Sequence, residues 1–267
     1  VIEQYITDLR HADAAIRYEA AQKLGSSGDM RAIQPLVEVL PDANEKVQYA
    51  AFSGLLKLGD STAAAPMVAL LLNNLDSRLW ALMKLNIGMR LRHGLLDLVP
   101  RGDEIILHRV SSALAGGGLD HYQRAFFVRM LGKAGHGEQV DALVKVLSHE
   151  VSQVREAAAE ALGWIGDGRA FDALMPLLKD ESDQLREVGV EALGRLGNIR
   201  AVAPIIETLK DKSEWVRRAS AVALGELGDR RAIDPLSEAM HDEDEMVQDA
   251  AFEALKKFST GRYMTVI

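Results

Sequence analysis

The chain has 267 residues, 48% of them hydrophobic and 5% aromatic, a composition that supports a packed core and excludes a disordered chain. It contains no cysteine, which excludes disulfides, thiolate metal sites and cysteine nucleophiles, and its formal net charge of −8 argues against a general nucleic-acid binder. No run reaches the roughly 18 apolar residues of a membrane span, so a cytoplasmic chain that makes no membrane contact is expected.

A repeating period is already present over 1–76: Leu9 returns as Leu40, and Ile16 as Val47. From 77 to 135 the period slips, because Val47 and its equivalent Gln123 are separated by two whole periods and nearly half of another. The pattern there predicts a longer helix from about Ser77 to Arg92 and a loop at Pro100-Arg101-Gly102. A helix from Asp103 to Ala115 and a Gly116-Gly117-Gly118 turn follow. Lys84, Arg90, Arg92, Arg101, Arg109 and Arg124 make this the most basic region of an acidic chain. The triple glycine lacks both the Gly-Lys-Ser/Thr ending and the preceding strand of a phosphate loop.

Regular units resume over 136–258, ahead of a tail at 259–267, all within a single domain. Leu131-Gly132, Leu162-Gly163, Leu193-Gly194 and Leu224-Gly225 recur at one constant interval, and Leu255 falls on the next step. Val154, Leu185, Val216 and Val247 keep the same interval. In one unit Val154, Ala158, Ala161, Leu162 and Ile165 share a helical face. Gly166 is placed to end that helix in the left-handed conformation, and Asp167 to cap the next start. A shorter helix follows, turning Ala173, Leu174, Leu177 and Leu178 inward. Pro35, Pro204 and Pro235 fall in the first turn of such helices, where a missing N–H is tolerated. A single hairpin of this kind cannot bury its apolar stripe. Stacked hairpins can, which predicts a right-handed α-solenoid of about eight units, interrupted in the fourth and closed by Lys256-Lys257 as a solvent-facing end.

The string Val-Arg-x-x-Ala-x-x-Ala-Leu-Gly-x-x-Gly-Asp-x-Arg-Ala-Ile-x-x-Leu resembles the HEAT-repeat family, in the short variety named for the phycobilisome-lyase-like proteins. The resemblance implies a ladder of Asp and Arg along the stack, and Asp180 with Arg186 and Asp211 with Arg217 match its spacing. Gln48 and Gln248 replace the base after Asp42 and Asp242, and His11 and His149 replace the acid before Arg17 and Arg155. One branch of the family, the deoxyhypusine hydroxylases, holds iron with His-Glu pairs just after the repeat arginine. Tyr18-Glu19, Glu156-Ala157, Glu187-Val188 and Arg218-Ala219 stand in those slots, so no metal is expected. His149-Glu150 and His241-Asp242 fall at turns between helices and suit capping. With no H-E-x-x-H and no G-x-S-x-G, no catalytic residue is assigned.

If the longer helices line the concave side, their exposed ridge is legible. It runs from Tyr18, Gln22, Tyr49 and Ser53 through Arg129 to Glu156, Glu160, Trp164, Glu187 and Glu191, and ends at Arg218 and Glu253. Tyrosines at matching positions of adjacent repeats suit a protein interface. Four glutamates close enough to repel one another favour a partner with a basic surface. The expected function is therefore a non-catalytic scaffold or adaptor that holds another protein in its groove and needs no cofactor. The resemblance implies an alternative, since bilin lyases handle an open-chain tetrapyrrole such as phycocyanobilin, and "IRYEAAQKLG" at Ile16 is similar to their opening repeats. On that reading Tyr18, Tyr49, Trp80 and Arg90 supply the aromatic walls and the base.

Overall fold

The computed structural model describes residues 1–85 and 88–259, which form helices and turns without a strand among them. The chain divides into two compact units, 1–122 and 123–267. The first holds α1 (Ile2–Asp8), α2 (Ala14–Gly25), α3 (Ile33–Glu38), α4 (Glu45–Leu58), α5 (Ala64–Asn73), α6 (Arg78–Lys84), α7 (Met89–Leu98) and α8 (Glu104–Gly116). Short α1 backs long α2, α3 backs α4, and α2 lies flat against α4.

The second unit takes in all but the first two residues of α9 (His121–Ala134), then α10 (Val140–Val146), α11 (Ser152–Ile165), α12 (Phe171–Leu174), α13 (Asp183–Leu196), α14 (Val202–Thr208), α15 (Glu214–Leu227), α16 (Ile233–Ala239) and α17 (Glu245–Ser259). Long helices α11, α13, α15 and α17 stack in order, each backed by the short helix that precedes it. The expected all-α solenoid of helical hairpins is thus the fold. Gly166 takes the left-handed conformation at φ 72° and ψ 20°, and the Asp167 carboxylate accepts from the Arg169 N–H. The tail lies, apart from the last residue of α17, outside the described residues.

The region of slipped period differs from its expectation. No single helix runs from Ser77 to Arg92: α6 stops at Leu85, whose ψ of 159° is extended, and α7 starts only after Gly88. The chain returns so tightly on Met83 that a side chain at Gly88 would overlap its backbone, which only glycine avoids. Both α6 and α7 reach α4, so the interruption falls in the third long-helix position rather than in the fourth unit. Asp103 caps α8 by accepting from the Ile106 N–H at 3.0 Å, as its place before the helix implies.

Two repeated contacts explain the period. A Cβ placed on Gly163 would fall 2.9 Å from Ala192 Cα, one on Gly194 2.8 Å from Ala223 Cβ, and one on Gly225 2.7 Å from Ala254 Cβ. Each glycine therefore lets its helix touch the next at an alanine that comes just short of one full period later. The second contact is ionic. Arg186 donates to the Asp180 and Glu181 carbonyls at 2.9 and 3.1 Å, and also to both oxygens of Asp211 at 2.7 and 2.8 Å, one repeat later. Arg17 with Asp42 and Arg217 with Asp242 repeat this bidentate geometry. The ladder therefore links successive repeats. The histidines that replace its acid keep the turn, because His11 and His149 Nδ1 accept the N–H two residues on at 3.0 and 3.1 Å.

Arg17 and Arg217 hold the Asp42 and Asp242 carboxyls below the usual aspartate range. Burial pushes Asp211 the other way, but Arg186 and the Ser213 N–H outweigh it, and its pKa is also lowered. Such groups add stability that is present above the ordinary aspartate pKa of about 4 and lost as pH falls through the depressed value. Asp211→Asn should therefore cost about 3 kcal/mol at pH 7, since it strands a buried guanidinium. In denaturant melts across pH its deficit should shrink below about pH 4. Gly194→Val should cost about 1–3 kcal/mol by overpacking against Ala223, read as a lower denaturation midpoint.

Candidate functional site

In the first unit the N-terminal halves of α2, α4 and α6 line an open cavity of about 430 Å³. Tyr18 and Tyr49 both line it, with Ala15, Lys46, Arg78 and Leu82. The pairing follows from the repeat, which places the two tyrosines at the same slot of consecutive long helices. Gln22 Nε2 donates to Tyr18 Oη at 2.6 Å, and Ser53 lies half-buried one turn beyond Tyr49. Trp80 is not part of this surface. It is 1% exposed, and its indole N–H donates to the Leu71 carbonyl at 3.0 Å, because the Leu79-Trp80-Met83 side of α6 faces the core. Arg90 is exposed on α7 and does not line the cavity. Of the four residues assigned to a tetrapyrrole, two meet here. Lys46 and Arg78 were missed by the sequence reading, although Lys46 stands one residue before the repeat's Val47 and so on the same side as Tyr49.

In the second unit the residues of the expected ridge lie on α9, α11, α13, α15 and α17, and their charges are partly settled among themselves. Arg129 is paired with Glu160 one repeat on, and Arg195 with Glu191 at 3.1 Å. Lys133 lies over the Trp164 ring at 4.8 Å, and Lys256 holds Glu253 at 3.0 Å. The four glutamates thus do not simply repel. Glu156 and Glu187 remain half-buried, with no ion pair among the described residues. Burial raises the pKa of both; Glu160 raises that of Glu156 further against Arg129, and Glu191 that of Glu187 against Arg218. A shallow depression of about 150 Å³ joins Glu187, Glu191, Arg218, Val222 and Glu226.

The ridge also carries apolar surface: Val222 lies in the expected ridge, and Trp215 and Met246 add to it. Trp215 is 46% exposed, Val222 39% and Met246 46%. Trp215, Arg218 and Val222 are spaced i, i+3 and i+7 on α15 and share one face. The signal was available: Trp215 and Met246 stand where the two preceding repeats have Gln153 and Gln184. Among the described residues no three His, Asp or Glu come close enough to hold a metal, and no helix is long and apolar enough to cross a membrane.

The family described as HEAT repeats matches residues 2–86, 113–194 and 172–256. No curated protein matches the chain. Among solved structures, an engineered protein is 19% identical over 97% of this chain and 78% of its own, with a TM-score of 0.49. The complex of CpcE and CpcF of phycocyanin lyase from Nostoc is 22% identical over 97% of this chain and 94% of its own, with a TM-score of 0.46. Kap95p, solved with RanGDP, is 13% identical over 97% of this chain and 45% of its own, with a TM-score of 0.54, a likeness of fold.

The raised carboxyls have a consequence for stability. An acid whose pKa is higher folded than unfolded opposes folding once it ionises, so its penalty is absent below about pH 4 and complete above the folded value. Glu156→Gln and Glu187→Gln should each raise the thermal midpoint at pH 7 and leave it unchanged near pH 3. Scanning calorimetry at the two pH values checks this.

Proposed function

The chain belongs to the HEAT-repeat family, and on that premise we propose that it is a non-catalytic adaptor that holds a partner protein with a basic surface along its long-helix ridge. The observation that carries this reading is the pair Glu156 and Glu187. Each is a half-buried carboxylate beside a second glutamate, at a cost to the fold that an arriving cation would remove. Beside them Trp215 and Val222 offer exposed apolar surface of the kind that anchors protein interfaces. An acidic ridge disfavours nucleic acid, and nothing in it positions a nucleophile with a base.

Isothermal calorimetry with a twelve-residue peptide of alternating Lys and Leu tests the ridge. Glu156→Gln/Glu187→Gln should weaken binding about tenfold, which is about 1.4 kcal/mol. Glu207→Gln/Glu238→Gln, on the short helices α14 and α16, should leave it unchanged. Affinity should also fall as pH is lowered through the raised glutamate pKa values, because protonation removes the anions. Equal affinity of both double variants and the wild type would remove the ridge from the account.

A further inference from the structure

The cavity between α2, α4 and α6 has the opposite charge character to the chain that contains it. Its rim carries two cations, Lys46 and Arg78, against one acid, Glu45, in a molecule of net charge −8. Both cations are exposed, and among the described residues neither side chain forms an ion pair. The first turns of α2 and α4 form part of the wall, but Asp13 and Asn44 cap them by accepting from the Ala15 and Lys46 N–H groups, so the positive field comes from Lys46 and Arg78.

The rest of the lining is largely apolar: the exposed Ala15 with Leu79 and Leu82, beside Tyr18 and Tyr49. Ala15 occupies the slot that holds Lys46, Trp215 and Met246 in other repeats, and its side chain is the smallest of the four. A volume of about 430 Å³ lies within the range of ligand pockets. Tyr18 Oη already accepts from Gln22, which leaves its O–H to donate to an incoming acceptor.

We propose that this cavity is a second docking pocket, which takes an apolar side chain from an acidic segment of a partner protein. The flanking carboxylates of that segment meet Lys46, Arg78 and the Tyr18 hydroxyl. A basic segment would face two cations without compensation. The inference rests on the reading of the chain as a protein-binding adaptor, but it uses the first unit and the opposite charge, so the two can fail separately.

The test uses the full chain and a fluorescein-labelled peptide of six alternating Glu and Leu residues, followed by anisotropy. The wild type should bind it, more weakly as salt is raised. Lys46→Glu/Arg78→Glu, a change of exposed side chains, should weaken binding at least about tenfold, and Tyr49→Ala about tenfold. Glu45→Lys should tighten it, a gain that a merely unfolded variant cannot give. Glu156→Gln/Glu187→Gln should have no effect. No saturable binding, or equal binding by the wild type and Lys46→Glu/Arg78→Glu, would overturn the proposal while leaving the acidic ridge untouched. Retention of phycocyanobilin without any binding of the peptide would overturn it in favour of a chromophore pocket.

Discussion

Consecutive long helices of the second unit touch where a glycine of one meets an alanine of the next. With no Cβ at Gly163, Gly194 or Gly225, the axes approach until Ala192, Ala223 and Ala254 fill the gap. That spacing sets the rest: it brings Val154, Leu185 and Val216 fully out of water and puts the ladder arginines within reach of the next carboxylate. It also aligns the outward slots of neighbouring helices, so that side chains one full period apart, such as Arg129 and Glu160, become partners. In the first unit Gly25 meets Gly54 and the approach is closer still. The tyrosine-lined cavity is built across that step.

The ionic ladder is not uniform along the chain. Arg17, Arg186 and Arg217 each meet a carboxylate of the next repeat's turn, whereas Arg155 donates to the His149 and Glu150 carbonyls of its own turn. Glutamine stands at 48, where the corresponding turn position is Asn73, and again at 248. Gln48 and Gln248 still donate to the Asp42 and Asp242 carbonyls at 2.6 Å, so the turn keeps its cap without a buried charge. A guanidinium at 48 would lose water and gain no counter-ion from Asn73. The neutral residue at 48 therefore follows from the ladder's own chemistry.

Most of the fold was legible because one periodicity carried it: the helical stripes, the Gly166 stop and the Asp167 cap all follow from residues within a single unit. What lay outside that horizon was less so. The break between α6 and α7 depends on Gly88 folding back on Met83, a contact no stripe encodes. Trp80 was assigned to the surface because aromatic residues suit a ligand, but its place beside Leu79 and Met83 on the buried side of α6 decides the matter. On the ridge, like charges on neighbouring helices are legible from the repeat, but the opposite charges that answer them are not. The pairs that neutralise Glu160 and shape Glu156 run between helices, and they require the stacking register.

Each glycine and the alanine that fills its gap belong to different units, so the contact always crosses a boundary between repeats. Any tandem copy of such a segment would bring its own glycine for the helix after it and its own alanine for the helix before. Copy number can then change by whole units through duplication or loss without creating a misfit at either junction, whereas a change of a few residues inside a unit would throw both partners out of line. Lys256 occupies the glycine slot of α17, and a helix laid there would meet a long charged chain instead of a gap.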